Sequence, residues 1–179
     1  MALDKKALFG GIGKANRGFQ SNPVRESRCL VRIDGLNLFE APKKGIMGKV
    51  TCTVLACEEG DHRVGEVVHA FYKRGDNSVR HDIWLGNVKS MLCQLLGIDK
   101  DAEEAMSAEE WADNAAVAFD EDSPLEGFVA VLTTVIKDNQ AGTGKYASYG
   151  WSEQFDDDAI RDALSEDEIA RFFPNLGNE

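Results

Sequence analysis

Gly127-Phe-Val-Ala-Val-Leu-Thr-Thr-Val-Ile-Lys137 is the strongest strand signal in the chain. Branched side chains are stiff at χ1 and pack well on a pleated surface, so the run reads as a β-strand. A Gly/Asn loop at Asp138–Gly144 follows it. Lys145–Ser152 then reads as the final strand, with Tyr149 and Trp151 on one face and Tyr146 on the other.

Upstream, three more segments show period two. In Arg28–Asp34, Cys29, Val31 and Ile33 point one way and Arg28, Arg32 and Asp34 the other. Glu40–Gly48 reads as a turn-rich loop. In Lys49–Cys57, Val50, Cys52, Val54 and Ala56 alternate with Lys49, Thr51 and Thr53. In Gly65–Arg74, Val67, His69 and Phe71 alternate with Val68, Ala70 and Tyr72. The period then changes: Trp84, Val88, Met91, Leu92 and Leu95 fall on one helical face, and Gly97 is a stop signal. Ser107–Glu110 is a capping box that opens a short acidic helix through Trp111 and Ala115, and 120–126 reads as an acidic turn.

Three strands, a helix, an inserted acidic stretch at 100–126 and two strands give a mainly β fold. Its order matches a five-stranded oligonucleotide/oligosaccharide-binding (OB) barrel with the helix between strands three and four. The expected organisation is a basic, Gly-rich arm at 1–27, an OB-like barrel domain at 28–152, and an acidic helical C-terminal tail at 153–179.

The chain has 179 residues, 43% apolar and 28% charged, which suits one folded domain and excludes collagen-like, mucin-like and wholly disordered classes. No apolar run reaches the roughly 18–20 residues of a membrane span, and the first residues are too weakly apolar for a secretion signal. Four cysteines without a Cys-x-x-Cys pair read as free buried thiols in a reducing compartment.

Charge is unevenly spread. Residues 1–100 hold 16 Lys+Arg and 11 Asp+Glu, and residues 101–179 hold 4 and 20, within a net charge of −11. The split suggests a nucleic-acid-facing part and an acidic arm. The plainer alternative is charge that only solvates the surface.

Enzyme motifs are weak. Gly10, Gly11, Gly13 and Lys14 lack the spacing of a phosphate loop, and Ala15 follows the lysine. Cys52, Cys57, His62 and His69 match no strong zinc-ligand spacing. Asp156, Asp157 and Asp158 read as a solvated helix N-terminus rather than a metal site. No catalytic triad context appears, and neither metal nor cofactor is expected.

Single strands are held by a positive groove and aromatic faces on which bases stack. The candidate backbone contacts are Arg32, Lys43, Lys44, Lys49, Lys73, Arg74, Arg80 and Lys145, and the candidate stacking rings are Tyr72, Tyr146, Tyr149 and Trp151. They fall on the strands and loops that barrels of this class use. Trp84, at helical spacing, reads as core. Trp151 and Tyr149 suit either core or stacking. The C-terminal segment offers Phe155, Asp156, Asp157, Asp158, Phe172 and Phe173 as a partner-binding surface, with a second capping box at Ser165–Glu168. It reads equally as an amphipathic helix packed on the barrel or on a neighbouring subunit.

The chain resembles the single-stranded-DNA-binding proteins of bacteriophages. The resemblance rests on the strand order, the Leu125-Glu126-Gly127 entry to the Val-rich strand, the Lys145-Tyr146-Ala147-Ser148-Tyr149-Gly150-Trp151 close and the acidic Phe155-Asp156-Asp157-Asp158 segment, over about residues 28–160. It implies a non-catalytic barrel that coats single-stranded DNA during replication, recombination or transcription in the cytoplasm of an infected bacterial cell. It also implies a homo-oligomer, and docking of phage or host replication or transcription proteins through the acidic tail. The chain departs from bacterial relatives, whose acidic run ends in a short apolar tip, whereas this one ends Phe172-Phe173-Pro174-Asn175-Leu176-Gly177-Asn178-Glu179. Docking of host repair proteins is therefore not carried over. The rival reading is an acidic adaptor that binds a protein and no nucleic acid.

Overall fold

The first two strands run further than the sequence suggests. The computed structural model describes residues 4–12, 26–42, 45–75, 77–139, 142 and 144–176. Its elements, in chain order, are α1 (Lys5–Leu8), β1 (Ser27–Ala41), β2 (Gly45–Glu59), β3 (Val67–Lys73), α2 (Ser78–Leu95), α3 (Lys100–Ala105), α4 (Ala108–Ala118), β4 (Val129–Asp138), β5 (Lys145–Ser152), α5 (Asp157–Ala163) and α6 (Glu166–Phe172). β1 runs to Ala41 and β2 begins at Gly45, so most of the expected loop at 40–48 is strand. β1 continues past Gly35 to Ala41, but its buried positions change parity there, from Val31 and Ile33 to Leu36.

The strands form one antiparallel sheet in the order β3-β2-β1-β4-β5, open at both edges. β4 pairs antiparallel with β1, Leu30 opposite Val131, and with β5, Leu132 opposite Trp151. The described residues thus form a five-stranded open sheet with helices, not a closed barrel. Among them, no helix is long and apolar enough to cross a membrane.

The chain divides into two compact units, and the long strands contribute to both. The first comprises the described parts of 1–19, 35–51 and 69–126. Its core is aromatic. Phe9 stacks on Trp84 (5.2 Å) and on Phe119 (5.7 Å), and Phe9 and Ile12 are fully buried. The expectation of an arm at 1–27 is therefore corrected for residues 4–12, because two large apolar side chains there find a core. Lys5 pairs with Asp120 (2.7 Å), and Lys6 with Asp113 (3.0 Å) and Glu109 (3.2 Å). Residues 13–25 lie outside the described set.

In this unit α2 starts six residues before Trp84, with Asn77 as its N-cap, accepting from the Arg80 N–H. It buries Trp84, Val88, Met91, Leu92 and Leu95, as the spacing predicts. Gly97 takes φ +61, and the Ile98 N–H reaches back to the Cys93 carbonyl, the left-handed stop that favours glycine. Ser107 and Glu110 form the expected reciprocal cap of α4. Lys89 is buried with its ammonium 2.9 Å from Glu103 and over the Trp111 ring at 5.0 Å.

The second unit comprises the described parts of 20–34, 52–68 and 127–179. Leu30, Val129 and Val131 line one sheet face, which Phe155, Ile160, Leu164, Phe172 and Phe173 cover. Phe128 meets Phe172 edge-on at 5.0 Å. Each buried Phe contributes about 1.5–3 kcal/mol. The segment at 153–179 is thus a packed layer over its described residues, because Ile160 of α5, Phe172 of α6 and the flanking Phe155, Leu164 and Phe173 all turn to the same core. Gly60 closes the turn after β2 at φ +105, where a Cβ would lie 2.7 Å from the Glu26 carbonyl oxygen.

Candidate nucleic-acid interface

β3 is an edge strand, so which of its faces points inward decides what it can offer a ligand. Ala70 and Tyr72 point into the core, Tyr72 only 6% exposed. Its carbonyl accepts from the Trp84 indole N–H at 3.1 Å, tying β3 to α2. His69, Phe71 and Lys73 therefore face outward, Phe71 being 40% exposed. This corrects Tyr72 as a stacking ring: its faces are occupied by core. It also adds Phe71 and His69, whose rings lie 5.8 Å apart. The signal in the sequence was parity, since Phe71 shares a face with Lys73, which is too costly to bury unpaired.

Register brings in β2. The Arg74 N–H donates to the Ile46 carbonyl at 3.0 Å, and the Val54 N–H to the Glu66 carbonyl at 2.9 Å. The two bonds imply the same antiparallel alignment, which sets Phe71 opposite Lys49, His69 opposite Thr51 and Lys73 opposite Met47. The outer face of this strand pair within the first unit thus carries two rings flanked by two lysines. Among the described residues neither Lys49 nor Lys73 has a carboxylate partner. By contrast, Lys5, Lys6, Lys89, Arg28 and Arg32 are all paired with acids.

At the end of β3, the Arg74 Nε donates to His81 Nδ1 at 3.1 Å. His81 stacks on Trp84 at 5.6 Å. Burial, and then the Arg74 charge, hold the His81 pKa below its ordinary value, so the neutral ring is the acceptor. Arg74 is held in place rather than extended. Arg80 is exposed on the first turn of α2. Lys43 and Lys44 lie outside the described residues.

The second unit holds the remaining candidates. Arg32 is bound to Glu168 at 2.6 Å, so its charge is neutralised by α6 rather than offered to a phosphate. Trp151 is 3% exposed and packs within the sheet, which corrects it as a stacking platform. Tyr149 shares its face and is half-buried. Tyr146, 51% exposed, stands opposite Lys137 on the other face, and the exposed Lys145 stands opposite Asp138.

The partner-binding residues are divided in the same way. Phe155, Phe172 and Phe173 are buried core, a correction to their docking role. Asp156 is the N-cap of α5, accepting from the Ala159 N–H at 2.9 Å, and Asp157 and Asp158 are exposed in its first turn. Among the described residues, no three His, Cys, Asp or Glu side chains gather as metal ligands.

The chain matches no family model, no curated protein and no solved structure.

Proposed function

We propose that the chain is a non-catalytic, sequence-tolerant single-stranded DNA-binding protein of phage type, acting in replication, recombination or transcription. The observation that carries this reading is the outer face of β2 and β3, where Phe71 and His69 sit between Lys49 and Lys73. Rings give sequence-tolerant stacking, about 1–3 kcal/mol per base, and unpaired lysines give phosphate contacts. The strand order supports it too, being that of a five-stranded Greek-key barrel opened between β3 and β5, and the binding face of such barrels is on strands two and three. In the second unit, taken by itself, Tyr146 on β5 is an exposed ring beside the exposed Lys145. A homo-oligomer in the cytoplasm of the infected host is the setting this reading carries with it.

The test is anisotropy of labelled oligo-dT against duplex at several salt concentrations. All three tryptophans are buried, so their own fluorescence is a poor reporter. The expected result is preference for the single strand, with a log–log salt slope of about −0.7 per phosphate contact, lost in steps with Lys49→Gln and Lys73→Gln. Equal affinity for duplex, or none for either, overturns the reading and leaves the acidic adaptor.

A further inference from the structure

β1 and β2 are neighbours in the second unit, and Arg28 on one is joined to Glu58 on the other at 2.8 Å. One residue along each strand, Cys29 and Cys57 meet. Gly60 lies against the Glu26 carbonyl and Ser27, the same alignment that Arg28 and Glu58 imply, and it sets Cys29 opposite Cys57. The Cys57 thiol donates to the Glu59 carbonyl at 3.2 Å. Directly opposed residues of paired strands have Cα atoms about 4.5–5.5 Å apart, inside the roughly 4.4–6.8 Å range a disulfide spans.

We propose that Cys29 and Cys57 form a dithiol site that exchanges with small-molecule disulfides and closes into a bond across β1 and β2. The order of events follows from exposure, since Cys57 is half-exposed while Cys29 is 3% exposed. The Cys57 thiolate attacks one sulfur of the external disulfide. A mixed disulfide forms and the first external thiolate leaves. Cys29 then loses its proton to water, and its sulfur attacks the Cys57 sulfur, expelling the second external thiolate. Two protein thiols are oxidised, and one external disulfide is reduced to two thiols.

The surroundings hold the open form back. Burial pushes the Cys29 thiol pKa up, and the hydrogen bond to Cys57 and the Glu66 charge push the same way. The thiolate is the reactive form, so closure is slow at neutral pH and faster in alkali. Cys52 is buried on β2 with its thiol pushed up to about 12, and Cys93 is buried on α2.

The test uses the full chain incubated with excess oxidised glutathione at pH 7 and pH 9, acid-quenched, alkylated in denaturant and mapped as peptides. The expected result is a fall from four free thiols to two. One crosslinked peptide pair joins Cys29 to Cys57, forms faster at pH 9 and is reversed by dithiothreitol. Cys57→Ser is expected to keep its three thiols. Four thiols surviving in the wild-type chain overturn the proposal. So does a glutathione adduct on Cys57 that never resolves, or a crosslink to Cys52 or Cys93. Mapping of the wild-type chain decides the matter even where the variant does not fold.

Discussion

Phe71 on β3 stands directly opposite Lys49 on β2, and both side chains turn away from the core that receives Tyr72. Removing an exposed ring leaves the core untouched. Phe71→Ala is therefore expected to lower affinity for oligo-dT roughly 5- to 150-fold, the equivalent of about 1–3 kcal/mol, with an unchanged unfolding midpoint. Anisotropy and urea titration of the same sample check both halves.

Phe172 gives the opposite outcome. It lies in the layer over Leu30, Val129 and Val131, against Phe128. Phe172→Ala is expected to cost about 3–5 kcal/mol of stability. Deleting residues 153–179 uncovers the same face and is expected to give an aggregating chain, not a soluble core with a tail removed. Asp157→Asn and Asp158→Asn, at exposed positions, are expected to stay within about 0.5 kcal/mol of wild type. Urea unfolding across this series reads the contrast.

Glu168 carries a pH dependence. The Ser165 N–H and hydroxyl, and then Arg32, hold its carboxyl below the ordinary 4.5. A depressed pKa means that the unfolded chain takes up a proton before the folded one does. The stability Glu168 contributes is thus complete above about pH 4.5 and lost as pH falls through the folded value. The gap in Tm between wild type and Glu168→Gln is expected to be constant from pH 7 to 5 and to close below 4.5.

Lys89 and Glu103 test a buried pair. The lysine is 5% exposed, with Glu103 at 2.9 Å and the Trp111 ring beneath it. Glu103→Gln withdraws the carboxylate from a buried ammonium and is expected to cost about 3–5 kcal/mol. Replacing both, as Lys89→Met with Glu103→Leu, is expected to recover most of that loss, because apolar contacts replace two desolvated charges. Thermal unfolding of the single and double variants gives the comparison.

Much of the local structure was legible in the residues. The Val-rich run at β4, the helical face of α2, the glycine after it and both Ser/Glu caps depend on contacts within a few positions, and all are present. Less legible was orientation. Period two announces that β3 has two faces, and only Lys73 at the strand's end marks one of them as outward; the inward place of Tyr72 is fixed by docking against Trp84 on a later helix.

The same division covers the charges and the termini. Composition alone showed a basic first half and an acidic second half, but not that the two cancel through pairs such as Lys5–Asp120 and Arg32–Glu168, each more than 100 positions apart. An amphipathic segment carries its apolar stripe in its own sequence and its partner elsewhere. Residues 4–12 and 153–176 could be seen to have something to bury, and only the assembled sheet and helices determined where it was buried. Spacing within a turn of helix or a strand is a local steric property, whereas the burial of a face is a property of the surface that covers it.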